Sequence, residues 1–173
     1  MKTIPNEKRF SGSIVLERGM FSLCKRNNLL KYSHAETLLY NENEKYTIIT
    51  NNKGRRIEFL LEQNTLYTVG IRGNECKIRR AVDYYGKRKI IILVPKALTH
   101  KGADAQWKYI KYIKPSNYQG TTKRFRWFIT DNKINYSYKL AAKLSDHIGL
   151  WIGSTDIVSV NDLYKNPNYE TYQ

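Results

Sequence analysis

The strongest constraint on the fold is a series of five strand-like segments between Lys45 and Pro95 that only short connectors separate. The first connector, Asn51-Asn52-Lys53-Gly54, is typical of a hairpin turn because Asn and Gly tolerate positive φ. The later connectors lie at 63–64, 73–74 and 85–87. Because a parallel crossover needs about a dozen residues, such links require antiparallel neighbours. The stretch therefore predicts an antiparallel β-meander of about five or more strands over residues 45–95.

Two of these segments indicate how the sheet is covered. Cys76 and Ile78 alternate with Lys77 and Arg79, which predicts one buried face and one solvent-exposed face for that strand. The run Ile90–Val94 has no polar alternation at all, which is typical of a central strand with both faces covered. Some other element must therefore pack on the sheet.

Two helices are predicted to provide that cover. Trp107 and Ile110 recur at helical spacing within residues 103–114, and apolar residues recur every four positions over residues 135–148. Gly149 is a typical residue for ending the second helix. Together with the meander, these helices define an α+β fold class.

Further strands are predicted outside the meander, over residues 10–16, 35–40 and 157–160. Ser159 or Asn161 is placed to cap one helical turn that follows the last of these strands. Whether residues 20–30 form helix or strand stays open, because their apolar residues fit neither period.

The length of 173 residues suits one hydrophobic core, so we expect a single domain over residues 1–173. Residues 1–9 are expected to form a flexible basic arm, and residues 166–173 a flexible tail. The chain has no apolar stretch of 18 residues, and its first residues lack the apolar run of a signal peptide. We therefore expect no membrane partner and a cytoplasmic location.

The cysteines and histidines do not indicate a cofactor. Cys24 and Cys76 form no CxxC motif and have no neighbouring histidine pair, so neither a zinc site nor any other metal site is predicted. Two reduced thiols are the expected state, with a single disulfide as the open alternative. The three histidines lie in no metal-spaced or triad-like context, and we predict no catalytic residue.

The distribution of charge is the most informative functional feature. The formal net charge is +15, from 30 basic and 15 acidic residues. Residues 1–71 contain 11 basic and 7 acidic residues, residues 72–143 contain 18 and 4, and residues 144–173 contain 1 and 4. The many Lys, Asn, Tyr and Ile residues point to an AT-rich genome, which raises Lys content without any binding role. That bias does not explain why acidic residues are scarce in one segment only. We call residues 72–143 the basic block, and its excess of positive charge favours a polyanionic partner.

We therefore predict a small, basic, non-enzymatic protein that binds the backbone of nucleic acid without sequence preference, of phage or mobile-element origin. The predicted contacts are basic residues of the meander, of the first helix and of a later strand in which aromatic and basic residues alternate. They are Lys77, Arg79, Lys87, Arg88, Lys89, Lys108, Lys111, Arg124 and Arg126.

Two alternative functions stay open. The many Tyr and Trp residues suit buried contacts between protein subunits, so the chain could be a structural subunit of an assembly such as a phage virion, in host cytoplasm or in the particle. A small metal-dependent nuclease would need converging carboxylates near a lysine. The candidates for such a site are Glu58, Glu62, Glu75 and Lys77.

Overall fold

The structure is a computed structural model that describes residues 4–18, 32–43, 45–50, 56–72, 75–82, 90–97, 100–110, 136–156 and 158–172. Its strands are β1 (Ile14–Arg18), β2 (Tyr32–Asn41), β3 (Lys45–Thr50), β4 (Arg56–Leu61), β5 (Thr65–Arg72), β6 (Glu75–Arg80), β7 (Ile90–Pro95) and β8 (Tyr169–Thr171). Its α-helices are α1 (His100–Ile110), α2 (Tyr136–Asp146) and α3 (Val160–Tyr164), and a short 3-10 turn spans Lys8–Phe10.

Six of the strands form one sheet in the order β6-β5-β2-β1-β7-β8, and β3 and β4 form a separate two-stranded sheet. Every strand pair in both sheets is antiparallel. The five segments predicted between Lys45 and Pro95 all form strands in this structure. The predicted α+β fold class, with antiparallel strands across residues 45–95, is therefore confirmed.

The order of the strands differs from a simple sequential meander. The hairpins β3-β4 and β5-β6 form as their short turns predict. The antiparallel pairing predicted across the connectors at 63–64 and 85–87 is wrong, because β5 pairs with β2 and not with β4, and β7 pairs with β1 and not with β6. A short turn permits a hairpin but does not determine which strands pair. Pairing between distant strands depends on which apolar faces can be buried together, as where Val15 and Ile92 are register partners and both are buried.

Strand β7 lies inside the sheet, as its uninterrupted apolar sequence predicts. It pairs with β1 on one side and with β8 on the other. Ile92 points to one face and Leu93 to the other, and both side chains are buried. The central placement of residues 90–94 is therefore confirmed.

Helices α1 and α2 cover one face of the sheet, which we call the helical face. Trp107 and Ile110 of α1 pack in one cluster with Cys76 and Ile78 of β6. Towards β1 and β7, α2 and α3 share a second cluster with residues such as Leu93. Within the described residues, both predicted helices are present, and they bury the predicted apolar sides.

Gly149 lies just after the end of α2, and Ser159 lies just before the start of α3. Gly149 has φ +73°, and the bonds Leu150 N–H to Ser145 O and Gly149 N–H to Asp146 O form a Schellman-type end after α2. Ser159 caps α3 through a reciprocal capping box with Asp162. The strand predicted over residues 157–160 is wrong, because Val158 and Ser159 form no strand and the cap starts a helix at Val160. Residue 157 lies outside the described residues.

The opposite face, which we call the second face, is partly covered by the start of the chain. Ile4 and Phe10 are buried in a cluster with Val15, Leu38 and other residues from four strands. The strand predicted from residue 10 begins only at Ile14, because the chain makes a 3-10 turn first.

The end of the chain also contributes to the sheet. Residues Tyr169–Thr171 form the edge strand β8, and the Tyr169 hydroxyl lies 2.7 Å from that of Ser145.

In the part of the chain that the structure describes, no helix has both the length and the apolar character needed to cross a membrane.

Candidate functional site

Polar residues lie together on one half of the second face, because three neighbouring strands change from apolar to polar side chains at the same height in the sheet. In each of β1, β2 and β5, a polar residue lies two positions from a buried apolar residue on this face. The pairs are Val15 and Glu17, Leu38 and Glu36, and Leu66 and Thr68. The strand register then makes the polar residues neighbours in space, since Glu17 is paired with His34 and Thr68 with Arg79.

The centre of this group is the carboxylate of Glu36, whose side chain is only 1% exposed. Three nitrogen atoms surround its Oε1 atom: His34 Nε2 at 2.9 Å, Arg72 Nε at 2.9 Å and Arg79 Nη2 at 3.1 Å. The Thr68 hydroxyl donates a hydrogen bond to the other oxygen, Oε2. A buried carboxylate is stable only with such partners, and Glu36 has at least these four.

Arg72 joins this carboxylate to a second one. Its Nε donates to Glu36, and its Nη2 donates to Glu17, whose side chain is 10% exposed. The two arginines lie further out than the acids, because about 30% of the Arg72 side chain and 31% of the Arg79 side chain are exposed. We call Glu17, His34, Glu36, Thr68, Arg72 and Arg79 the ionic cluster.

The ionic cluster keeps Glu36 charged although it is buried. Burial by itself would raise the pKa of the Glu36 carboxyl, but hydrogen bonds from His34, Thr68 and Arg72 outweigh it and lower the pKa to about 2. The group is therefore a poor proton acceptor near neutral pH. Its evident chemical role is to hold cations and hydrogen-bond donors in place.

Gly70 creates the space that this arrangement needs. A Cβ atom built on Gly70 would lie 2.5 Å from Cγ of Glu36 and 2.9 Å from its Cδ, both closer than van der Waals contact allows. Glu36 therefore lies across a strand position that has no side chain. On the other side of Gly70, its register partner in β6 is Lys77.

Three of the nine predicted nucleic-acid contacts fall within the described residues, and they do not share one face. Lys77 and Arg79 alternate with buried Cys76 and Ile78, so they point to the second face. Lys108 is exposed on α1, which covers the helical face. The six others lie outside the described residues: Lys87, Arg88, Lys89, Lys111, Arg124 and Arg126.

The carboxylates that the structure brings together are not those considered for a nuclease. Glu58 and Glu62 are exposed, and Glu62 pairs with Arg80. The side chain of Glu75 lies outside the described part of the chain. Among the described residues, no group of three or more His, Cys, Asp or Glu residues is arranged to hold a metal ion.

Cys76 lies on the helical face, behind the ionic cluster. It is a free, buried thiol, as expected, and Cys24 lies outside the described residues. Burial raises the pKa of the Cys76 thiol to about 12, and the negative charge of Glu36 adds to the effect. The thiol is therefore protonated near neutral pH and is a weak nucleophile.

Most of the ionic cluster was missed in the sequence. Of its six members, only Arg79 was predicted as a functional residue. A signal is present, because His34 and Glu36 occupy alternate positions in β2, and Thr68, Gly70 and Arg72 alternate with apolar residues in β5. Those alternations acquire meaning only when the two strands are known to be neighbours in the sheet.

Comparisons with known proteins give no independent assignment of this site. No protein-family model, no curated protein and no solved structure matches the chain significantly. The function has to be argued from the charges and the geometry of the chain itself.

Proposed function

We propose that this protein binds the phosphate backbone of nucleic acid, without sequence preference and without cleaving it. The observation that carries the proposal is the basic block, in which residues 72–143 contain 18 basic and only 4 acidic residues. Backbone phosphates attract clustered Lys and Arg residues irrespective of base sequence, because binding them releases condensed counterions. The proposed setting is the cytoplasm of a host cell that carries a phage or a mobile element.

The burial of two acidic residues supports this proposal. Residues 1–71 contain seven acidic residues, whose charge opposes that of the basic block. Two of these, Glu17 and Glu36, are buried, where they pair with Arg72 and Arg79. They hold part of the basic block in the fold and contribute little negative surface to oppose an approaching phosphate.

Salt dependence tests this function directly. Binding of labelled single- and double-stranded DNA and RNA is measured by fluorescence anisotropy over a range of NaCl concentrations. If about four to six phosphates are neutralised, log K falls with log salt with a slope of roughly −3 to −5. The same samples, with Mg²⁺ added, should contain uncleaved nucleic acid at the end of the titration.

Two groups of substitutions test which basic residues bind the nucleic acid. Replacing Arg124 and Arg126 together by Ala should weaken binding to every sequence and make the slope shallower by about one to two units. Replacing Lys2, Lys8 and Arg9 should do less, because they lie outside the basic block. A slope near zero, or equal losses from both groups, would reject the proposal and favour a structural subunit that binds other proteins.

A further inference from the structure

A cleft of about 380 Å³ lies on the second face, where the 3-10 turn Lys8–Phe10 meets the edge strand β8. We call it the β8 cleft. Its lining residues come from the turn, from β7 and from the segment that contains β8: Arg9, Phe10, Val94, Glu170, Thr171 and Tyr172. The volume is at the small end of the range for ligand pockets, which suits one small flat group such as a single nucleobase.

The aromatic side of the β8 cleft is held in place by its neighbours. The Phe10 ring is buried, and the half-buried Tyr172 ring packs edge to face against it, with 5.1 Å between the ring centroids and 88° between the ring planes. Cζ of Arg9 lies 5.0 Å from the Phe10 centroid and 5.9 Å from the Tyr172 centroid. A tyrosine ring and a guanidinium group are therefore positioned before a ligand arrives, and both are groups on which unpaired bases stack.

The charges around the β8 cleft fit a base better than a phosphate. Arg9 is paired with Glu7, and the exposed residue Glu170 adds a second carboxylate. One guanidinium beside two carboxylates gives no net attraction for an anion. A base is neutral, and every base has at least one N–H group on its pairing edge that can donate a hydrogen bond to a carboxylate.

We propose that the β8 cleft binds one unpaired base of a single-stranded nucleic acid. This inference rests on the proposed function and adds the class of nucleic acid to it, with phosphates contacting the basic block and one base entering the cleft. A base in a duplex would first have to leave its stack and its partner, which makes binding in the cleft unfavourable. The protein should therefore prefer single strands to duplexes, and because every base can stack, no sequence preference follows.

Three substitutions test the β8 cleft. Tyr172→Leu removes the ring but keeps an apolar side chain, and Tyr172→Phe keeps the ring. Tyr164→Leu is the matched control, because it removes an exposed tyrosine from α3, outside the cleft. The probes are a short fluorescent oligothymidylate and a fluorescent duplex of the same length, each titrated at several salt concentrations.

The expected result is specific to one variant and one probe. Tyr172→Leu should weaken binding of the oligothymidylate about three- to tenfold through the loss of stacking. Its salt slope should not change, because no charge has been removed. Tyr172→Phe and Tyr164→Leu should bind like the unaltered protein, and duplex binding should be nearly the same for all three variants.

A second measurement uses the unaltered protein and does not depend on how a variant folds. An oligothymidylate in which one thymine is replaced by 5-iodouracil is irradiated in complex with the protein, and the crosslinked peptides are identified by mass spectrometry. This base reacts preferentially with aromatic side chains that it contacts, so the expected adduct is on Tyr172. Adducts found only on aromatic residues outside the β8 cleft would overturn the inference.

The outcomes separate this inference from the proposed function. If Tyr172→Leu weakens the binding of neither probe, or of both equally, nucleic-acid binding stands and the β8 cleft is rejected as a base site. If the unaltered protein binds neither probe, both proposals are rejected. Similar thermal unfolding midpoints for the three variants show that the comparison concerns binding.

Discussion

The second face has an apolar half and an ionic half, although the same strands contribute residues to both. In one half, the side chains of Leu38, Leu66 and Ile92 are fully buried beneath residues from the start of the chain. In the other half, two residues further along the strands, Glu36 and Glu17 are buried against arginines. The first half gains stability from removing apolar surface from water, and the second must first offset the loss of hydration of its charges. Substitutions in the two halves should therefore differ in how their cost depends on pH.

The largest expected effect comes from removing Arg72, because it pairs with both buried acids. Arg72→Ala should lower the free energy of unfolding by about 3–5 kcal/mol, the usual cost of removing one partner of a buried ion pair. Urea unfolding followed by circular dichroism measures this loss. The matched control is Arg80→Ala, which breaks the exposed pair with Glu62 and should cost less than about 1 kcal/mol. Equal losses would show that the ionic cluster is no stronger than a surface ion pair.

Acid should weaken only the ionic half. The folded pKa of Glu36 is lowered to about 2 from an ordinary value of 4.5, so its stabilising effect is complete above the ordinary value and is lost as pH falls towards 2. The linked change in unfolding free energy is about 3 kcal/mol. Unfolding measured between about pH 7 and pH 3 should show about 2 kcal/mol of this loss in the unaltered protein, and Glu36→Gln should remove it.

Ile92→Ala is the control from the apolar half. It should cost about 2–4 kcal/mol through the cavity it leaves, with the same dependence on pH as the unaltered protein. If Glu36→Gln kept the full acid sensitivity, another group would be responsible for it.

The smallest expected effect comes from Gly70→Ala, which adds one methyl group beneath the Glu36 side chain. Because that side chain is held by four donors, it cannot move away freely, and we expect a loss of about 1–3 kcal/mol. The same change in a Glu36→Ala background should cost clearly less, since the atoms that would be crowded are gone. A loss that is the same in both backgrounds would mean that Gly70 is needed for some other reason.

Much of the fold could be predicted because its signals are local. Alternation within β6, the apolar run of β7 and the spacing of Trp107 and Ile110 each depend on a few neighbouring residues. The pairing of β5 with β2 and of β7 with β1 could not be predicted in this way. It depends on contacts between segments far apart in the chain, which the short turns do not determine.

The ionic cluster could not be predicted for the same reason. Its members come from β1, β2, β5 and β6, and each looks like an ordinary exposed residue when its strand is considered alone. Arg79 was predicted as a phosphate contact because it alternates with apolar residues. That its guanidinium group also holds a buried carboxylate follows only from the register of three neighbouring strands.

The central position of β1 has a consequence for how the chain reaches this fold during synthesis. Among the strands that the structure describes, its neighbour β2 is made next, but its other neighbour, β7, follows only after β3, β4, β5 and β6. Until then, one hydrogen-bonding edge of β1, which carries the apolar residues Ile14, Val15 and Leu16, has no native partner, and such edges readily pair with other chains. The nascent protein is therefore most exposed to aggregation while β3 to β6 are being made, and a chaperone that shields β1 during that interval should raise the yield of folded protein.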